Sequence, residues 1–124
     1  MVRASPPSFS FPRSSRLRRR GEFLAVRGGP TFAAGALVAN WRPRKSEEPV
    51  AAARVGITVS SKVGDAVVRN RVKRRLREAI RHELAALPSV DLVLIARPAA
   101  VHSGVADFRA FLRLARERME RSSR

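Results

Sequence analysis

Residues 69–81 read Arg-Asn-Arg-Val-Lys-Arg-Arg-Leu-Arg-Glu-Ala-Ile-Arg. Seven of these thirteen residues are basic, yet Val72, Leu76 and Ile80 recur at intervals of four. One apolar residue in each turn is typical of a helix that packs one face against a core, whereas a disordered basic tail has no need of that spacing. The stretch therefore predicts a packed helix whose exposed face is dense with positive charge.

The two faces of this helix separate when successive residues are placed about 100° apart around its axis. The apolar face carries Val68, Val72, Leu76, Ala79, Ile80 and Leu87. The opposite face carries Asn70, Lys73, Arg74, Arg77 and Arg81. Arg71 and Arg75 flank the apolar stripe, where long side chains bury their stems and keep their charges in water. Because Glu78 alone opposes this charge, and like charges on one helix repel each other, the face is expected to bind a polyanion.

The composition of the whole chain agrees with that expectation. Twenty-six Lys and Arg residues against ten Asp and Glu give a net charge of +16 on 124 residues, which indicates a phosphate-rich partner. The chain has no cysteine, which excludes disulfides, thiolate metal sites and cysteine nucleophiles and fits a reducing cytoplasm. No run approaches the roughly 18 apolar residues of a membrane span, so we expect a cytoplasmic protein without membrane contact.

The chain is predicted to form one polyanion-binding domain over residues 13–121. A flexible arm rich in Pro and Ser precedes it at residues 1–12, and a frayed tail follows at residues 122–124. The predicted elements begin with a helix over 21–27 and a strand over 31–41, which can split or include a short extra strand. A hairpin loop over 42–49 and a strand over 51–60 follow. The second half is predicted to contain a helix over 66–87 capped by Asp65, a strand over 90–96 and a last helix capped by Ser103. The apolar run over 90–96 indicates a strand covered on both faces. This order predicts an α+β fold, a small α/β sandwich with a sheet of about four strands and one crossover helix.

The stretch from Arg54 to Arg81 closely resembles the signature of the bacterial ribonuclease P protein subunit. It reads Arg-Val-Gly-Ile-Thr-Val-Ser-Ser-Lys-Val-Gly-Asp-Ala-Val-Val-Arg-Asn-Arg-Val-Lys-Arg-Arg-Leu-Arg-Glu-Ala-Ile-Arg. The resemblance extends upstream to 11–12, 16–18 and 22–23, and downstream to 91–97 and the final helix. It covers most of the chain beyond the N-terminal arm.

The resemblance implies a basic protein that joins a large catalytic RNA to remove the 5′ leader from precursor tRNA. The RNA would supply the active site and its Mg²⁺ ions, and the protein alone would bind no metal, hold no catalytic residue and need no obligate protein partner. The implied fold is that of the second domain of ribosomal protein S5, with a left-handed crossover around the Arg-rich helix. The general rule for such connections predicts a right-handed one.

The resemblance assigns catalytic-RNA binding to the Arg-rich helix and to the loop before it. These residues are Lys62, Arg69, Asn70, Arg71, Lys73, Arg74, Arg75 and Arg77. Lys62 follows Ser60 and Ser61 and is the expected phosphate contact of the loop.

The resemblance also places the single-stranded leader of the precursor in a cleft between the first helix and the sheet. The expected leader contacts are Arg16, Arg18, Phe23, Arg27, Val38 and Asn40. Phe23 matches an aromatic that stacks on an unpaired base, although its residue type alone fits a core position equally well. Arg27 stands where the family commonly has a second aromatic and Asn40 where it often has Tyr. Leader binding is therefore expected to rest more on charge and hydrogen bonds than on stacking.

Two other classes of function share part of this pattern. A structural RNA-binding protein, such as a ribosomal component, would also present a basic helix. A self-sufficient nuclease would need an acid–base pair or a metal cage, and the sequence assembles neither, since His82 and His102 are expected at the surface.

Overall fold

The computed structural model describes residues 11–44 and 52–122. Within these residues the α-helices and strands are α1 Arg20–Val26, β1 Thr31–Ala34, β2 Leu37–Pro43, β3 Arg54–Thr58, α2 Ala66–Glu83, β4 Val90–Ala96 and α3 Val105–Ser122. Short 3₁₀ turns lie at Arg13–Ser15, Leu84–Ala86 and Pro98–His102. The predicted α+β sandwich is confirmed, and its four-stranded mixed sheet has the order β1-β2-β4-β3.

The position of β4 corrects one prediction. Residues 42–49 were expected to be the loop of a hairpin, but β2 continues to Pro43 and its neighbours are β1 and β4, not β3. Residues 45–49 lie outside the described part of the chain. β4 pairs antiparallel with β2 and parallel with β3, so it occupies the interior of the sheet. Its continuous apolar sequence suits that place because both of its faces are covered.

The first predicted strand is divided into β1 and β2 by a tight turn at Gly35 and Ala36. Gly35 has a φ of +57°, a left-handed conformation that costs glycine nothing. The turn pairs Phe32 with Ala39 and Ala34 with Leu37 in antiparallel register. The division supplies the fourth strand of the sheet.

The two faces of the sheet carry different elements. α2 and α3 pack on one face, where Leu92 and Leu94 of β4 meet Val72 and Leu76 of α2 in the main core. α1 packs on the other face, where a second, smaller cluster joins Leu17, Val26 and Val93, with Phe23 and Ile95 half-buried against it. One face of β4 therefore builds the core and the other forms the floor of a cleft beneath α1.

α2 begins and ends close to the predicted bounds. The carboxylate of Asp65 accepts a hydrogen bond from the Val68 N–H at 3.0 Å, which confirms the predicted cap. Val72, Leu76, Ala79 and Ile80 of the apolar stripe are buried as expected, Val68 is partly buried, and α2 connects the parallel neighbours β3 and β4. The left-handed sense of this crossover stays a prediction.

Both ends of the domain differ from the prediction in detail. Ser103 does not cap α3 with its side chain; its hydroxyl donates to the Ala99 carbonyl, and Asp107 accepts from the Gly104 N–H instead. Phe11 was assigned to the arm, yet its side chain is buried in the main core. The helices of the described residues include none that is long and apolar enough for a membrane crossing.

Candidate nucleic-acid interface

The solvent-facing side of α2 is a nearly uncompensated cationic surface. Asn70, Arg71, Arg74 and Arg77 are exposed, and Arg69, Lys73 and Arg75 are partly exposed. Within the described residues, Arg71, Arg74 and Arg77 form no hydrogen bond or ion pair. Glu78, the acid of this face, pairs with Arg81 at 2.6 Å and with His82 at 3.3 Å, near the end of the helix. The charge of the three arginines is therefore free to meet a partner.

Two arginines of α2 are placed differently from the others. The Arg75 guanidinium donates to the carbonyls of Val101 and Ser103, each at 3.3 Å, and so ties α2 to the turn before α3. The Nε atom of Arg69 is buried without a hydrogen-bond partner within the described residues. Arg75 thus has a structural task beside its predicted RNA contact, and Arg69 retains an unused donor.

Lys62 lies in the turn between β3 and α2. The side chain is exposed, and the Lys62 N–H donates to the Ser60 hydroxyl at 3.3 Å, which orders the turn. Asp65 then starts α2 three residues later. The lysine therefore projects from the segment that leads into the basic helix, as the loop contact requires.

A cleft of about 530 Å³ opens between α1 and the exposed sheet face. Its lining combines basic, polar and apolar side chains: Arg18, Arg20, Phe23, Leu24, Val26, Arg27, Asn40, Thr58, Val93 and Ile95. Leu24 is 43% exposed, so an apolar side chain is accessible at the edge of the cleft. A cationic rim over an apolar floor suits a single nucleic-acid strand, which presents phosphates on one side and unstacked bases on the other.

Of the six predicted leader contacts, four line this cleft and two do not. Arg18, Phe23, Arg27 and Asn40 are lining residues. Val38 lies opposite Ile95 in the sheet register, beside the cleft, and is not part of its lining. Arg16 lies outside the cleft as well, because its Nε donates to the Phe11 carbonyl at 3.1 Å and its guanidinium covers the Phe11 ring.

Asn40 is held in place by its neighbour on β1. Its amide nitrogen donates to the Thr31 hydroxyl at 2.6 Å, and the two residues are partners in the strand register. That bond fixes which way the amide faces and leaves its carbonyl oxygen as an acceptor. The polar group that replaces the family's Tyr is therefore oriented, not freely rotating.

Phe23 is packed against the sheet through Gly56. A Cβ atom on Gly56 would lie 2.6 Å from both Cε1 and Cζ of the Phe23 ring, and 3.0 Å from the Leu17 Cβ. The ring therefore rests where the strand has no side chain, and it remains half-buried. Phe23 packs in the small cluster and also lines the cleft, and its stacking on a leader base stays a prediction.

A second hollow of about 220 Å³ adjoins the cleft on the other side of Phe23. Arg18 and Phe23 line both cavities, and Lys73 and Arg77 of α2 line the second. Arg16 lines it too. Residues predicted for the leader and residues predicted for the catalytic RNA thus meet here, so the two predicted surfaces adjoin.

A charged network anchors the N-terminal end of α1 to the sheet. One carboxylate oxygen of Glu22 accepts from the backbone N–H groups of Arg18 and Arg19 at 2.9 and 2.8 Å, and these bonds hold the pKa of Glu22 below its ordinary value. The other oxygen accepts from the Arg54 guanidinium at 3.1 Å. Arg54 in turn donates through Nε and Nη2 to the two oxygens of Asp91 at 2.8 and 2.9 Å. This paired bond raises the pKa of Arg54.

Asp91 is the buried centre of that network. Its side chain is 2% exposed, and Arg42 and Arg44 approach it at 3.5 and 3.8 Å in addition to Arg54. Three arginines thus share one buried carboxylate, which satisfies the rule that a buried charge must be paired. The sequence pattern placed Asp91 in an apolar strand and provided no signal for these partners.

Several cleft residues were not predicted from the sequence. Arg20, Leu24, Thr58, Val93 and Ile95 line the cleft, and Gly56 shapes it. Strand alternation would have placed Thr58 on the same face as Gly56. The unbroken apolar run of β4 conceals which of its residues face the cleft.

The titratable residues do not cluster as a metal site. Among the described residues no three His, Cys, Asp or Glu side chains come together in a way that would hold a metal ion. His82 lies beside Glu78 and His102 is exposed.

Comparisons with known proteins agree on one family. A family model described as Ribonuclease P matches residues 11–120. The ribonuclease P protein component of Brucella suis is 44% identical over 97 residues, covering 71% of this chain and 67% of the relative. That of Caulobacter vibrioides is 48% identical over 84 residues, covering 66% of this chain and 55% of the relative.

Two solved structures show the same fold. The RNase P protein from Thermotoga maritima is 28% identical with a TM-score of 0.70, covering 83% of this chain and 96% of that one. The RNase P protein of Staphylococcus aureus is 27% identical with a TM-score of 0.67, covering 77% and 86%. The family match spans almost all of the described residues, and this chain belongs to the ribonuclease P protein family.

Proposed function

We propose that this chain is the protein subunit of a ribonuclease P holoenzyme. It binds the catalytic RNA through the basic face of α2 and the 5′ leader of precursor tRNA in the cleft under α1. By doing so it promotes endonucleolytic removal of the leader, which produces the mature 5′ end of the tRNA. The observation that carries the proposal is the adjacency of a nearly uncompensated cationic helix face and a separate cleft lined by cationic, polar and apolar side chains.

The α2 face supports binding to a folded RNA. Arg71, Arg74 and Arg77 present guanidinium groups on one side of a helix that is fixed to the core by Val72 and Leu76. Guanidinium groups spaced along a fixed helix suit closely spaced phosphates, because each fork pairs with two phosphate oxygens and releases counterions from the RNA. Lys62 extends this surface into the preceding loop.

The cleft supports binding to an unpaired strand. Phe23 and Leu24 offer an apolar surface to a base, and Arg18, Arg20 and Arg27 surround it with positive charge. Asn40 adds an oriented acceptor for a base N–H group. Mature tRNA has no 5′ leader, so contacts made here favour the precursor and leave the product free to dissociate.

The phosphodiester chemistry is assigned to the RNA subunit. We propose that Mg²⁺ is bound mainly by the RNA and that the protein contributes affinity and RNA conformation. The protein's cations reduce the repulsion between two RNA molecules, which is the same repulsion that Mg²⁺ screens in their absence. The protein is therefore expected to matter most at low Mg²⁺.

The decisive experiment mixes the purified chain with the catalytic RNA and precursor tRNA at low Mg²⁺ and follows leader release. We expect faster release than with RNA alone, and a lower KM for precursor tRNA. No increase over RNA alone would contradict the proposal. A structural RNA-binding protein of the ribosomal kind would bind ribosomal RNA and leave leader release unchanged, whereas cleavage by the chain without RNA would indicate a self-sufficient nuclease.

A further inference from the structure

We propose that Asp91, Arg54 and Glu22 form a positioning network that fixes α1 over the sheet and so sets the geometry of the leader cleft. The inference rests on the proposed function, because it assigns a task to residues that border the same cleft. Glu22 of the network accepts the backbone N–H of Arg18, and the Arg18 side chain lines the cleft. The network acts through the helix that carries Phe23.

The network runs from the interior of the sheet to the first turn of α1. Asp91 is buried in β4 and holds Arg54 by two parallel hydrogen bonds, which fix the plane of the guanidinium. The remaining Nη1 atom donates to Glu22. Arg54 therefore presents a pre-oriented donor to α1, since its other nitrogens are already occupied.

Glu22 connects this donor to the helix backbone. Its second oxygen accepts the N–H groups of Arg18 and Arg19, so one carboxylate both caps α1 and pairs with Arg54. A short helix of seven residues has few contacts of its own to define its direction. Attachment of its first turn at a fixed point supplies that direction.

The register of β3 determines where Phe23 lies once Glu22 is bound to Arg54. Arg54 and Gly56 are two residues apart on one strand and therefore face the same side of the sheet. Glu22 docks on Arg54, and the next residue, Phe23, docks on Gly56. Consecutive residues of α1 thus meet consecutive same-face sites of β3, which allows one placement of the helix and no sliding along the strand.

Charge pairs in this environment are better suited to specifying a geometry than to adding stability. The loss of hydration of a buried ion pair offsets most of the attraction, so an apolar pair of similar volume would stabilise the fold about as well. Arg54 and Glu22 are each 26% exposed, which reduces their contribution to stability further. A paired fork fixes an orientation that apolar contacts would leave open.

The test uses the holoenzyme with Glu22→Gln. The Gln carbonyl oxygen still accepts from Arg18 and Arg19, but its NH₂ group faces the Arg54 guanidinium, so the cap is kept and the tie to the sheet is lost. The matched control is Glu117→Gln, which makes the same charge change at an exposed residue of α3. Arg54→Lys keeps the charge and removes the fork.

For Glu22→Gln we expect KM for a precursor with a full leader to rise about twofold to fivefold, as for loss of a part-exposed ion pair. kcat, catalytic-RNA affinity and KM for a precursor with a one-nucleotide leader should stay as in Glu117→Gln. Amide hydrogen exchange in α1 should be faster than in the control, with α2 unchanged. Arg54→Lys should show the same pattern more strongly.

Two results would overturn the inference. The first is that Glu22→Gln and Glu117→Gln have the same KM values and the same hydrogen exchange in α1. The second is that Glu22→Gln weakens binding of both precursors and of the catalytic RNA alike. If the unmodified protein does not distinguish the two leader lengths, the proposed function fails instead. The exchange measurement on the free chain then still decides whether the network holds α1, because unchanged exchange in Glu22→Gln would refute it without reference to RNA.

Discussion

The ring of Phe23 rests on the bare backbone of Gly56, with Cε1 and Cζ occupying the space that a side chain on the strand would take. An aromatic residue of the cleft is thereby supported from below by the sheet. The contact makes the shape of the cleft depend on the absence of one methyl group.

Gly56→Ala is expected to displace Phe23. A Cβ atom 2.6 Å from the ring carbons must push the ring or the strand aside, which for overpacking costs about 1–3 kcal/mol of unfolding free energy. Urea unfolding measures this loss, and precursor binding should weaken more than mature-tRNA binding. Gly21→Ala is the control, since nothing lies within 4 Å of that Cβ and alanine favours the helix. Equal stability of both variants would contradict the contact.

Phe23→Ala is expected to weaken binding of precursor tRNA by roughly 1–3 kcal/mol, the range for loss of one base stacked on an aromatic ring. Affinity for mature tRNA should change little because it has no leader. Equilibrium binding of both tRNAs to the reconstituted holoenzyme measures the difference. Phe23→Leu, which keeps apolar packing on Gly56 and Leu17, separates stacking from core packing. Equal losses for both tRNAs would show that Phe23 is only a core residue.

Arg71→Gln together with Arg74→Gln should weaken catalytic-RNA binding and flatten its salt dependence. Each lost phosphate contact lowers the slope of log K against log salt by about 0.7 to 0.9. Binding titrations at several salt concentrations give that slope. Arg13→Gln with Arg121→Gln removes the same charge from exposed residues elsewhere. A slope change of the same size in both double variants would indicate general attraction and not a defined α2 surface.

Glu83 is expected to make stability depend on acid pH. Burial raises its pKa, but hydrogen bonds from Arg109 and Arg113 at 2.9 and 3.0 Å outweigh burial and lower the pKa below the ordinary value. Because the pKa of Glu83 is lower in the folded protein, its ion pairs stabilise the fold fully at pH values above the unfolded-state pKa of about 4.3. This stabilisation is lost as the pH falls through the folded-state pKa. Glu83→Gln should therefore lose stability at neutral pH and show a weaker decline below about pH 5. If the thermal unfolding temperature of Glu83→Gln and of the unmodified protein fell equally with decreasing pH, this role of Glu83 would be refuted.

The elements that the sequence predicted well are those with a strong local pattern. The period of Val72, Leu76 and Ile80 defines α2, and the cap at Asp65 defines its start. The unbroken apolar run predicts a strand covered on both faces, and β4 is buried along most of its length. Both conclusions need only neighbouring residues, which is why the burial agrees with the prediction.

The features that escaped prediction depend on residues distant in the sequence. The pairing of β4 with both β2 and β3 is a long-range choice that periodicity within each strand does not encode. The same holds for Arg54, 37 residues from its partner Asp91. The family resemblance assigned Arg75 to the RNA surface, and only the packing of the turn before α3 reveals its bonds to backbone carbonyls.

The interior position of β4 also limits the order in which the sheet can assemble during translation. β1, β2 and β3 are all translated before residue 90, but β3 shares no sheet hydrogen bonds with β1 or β2 among the described residues. Until β4 emerges, β3 is not joined to β1 and β2, and α1 lacks Val93 and Ile95 beneath it. β4 therefore joins β3 to the rest of the sheet and adds Val93 and Ile95 to the cleft, and α3, which is translated afterwards, completes the main core.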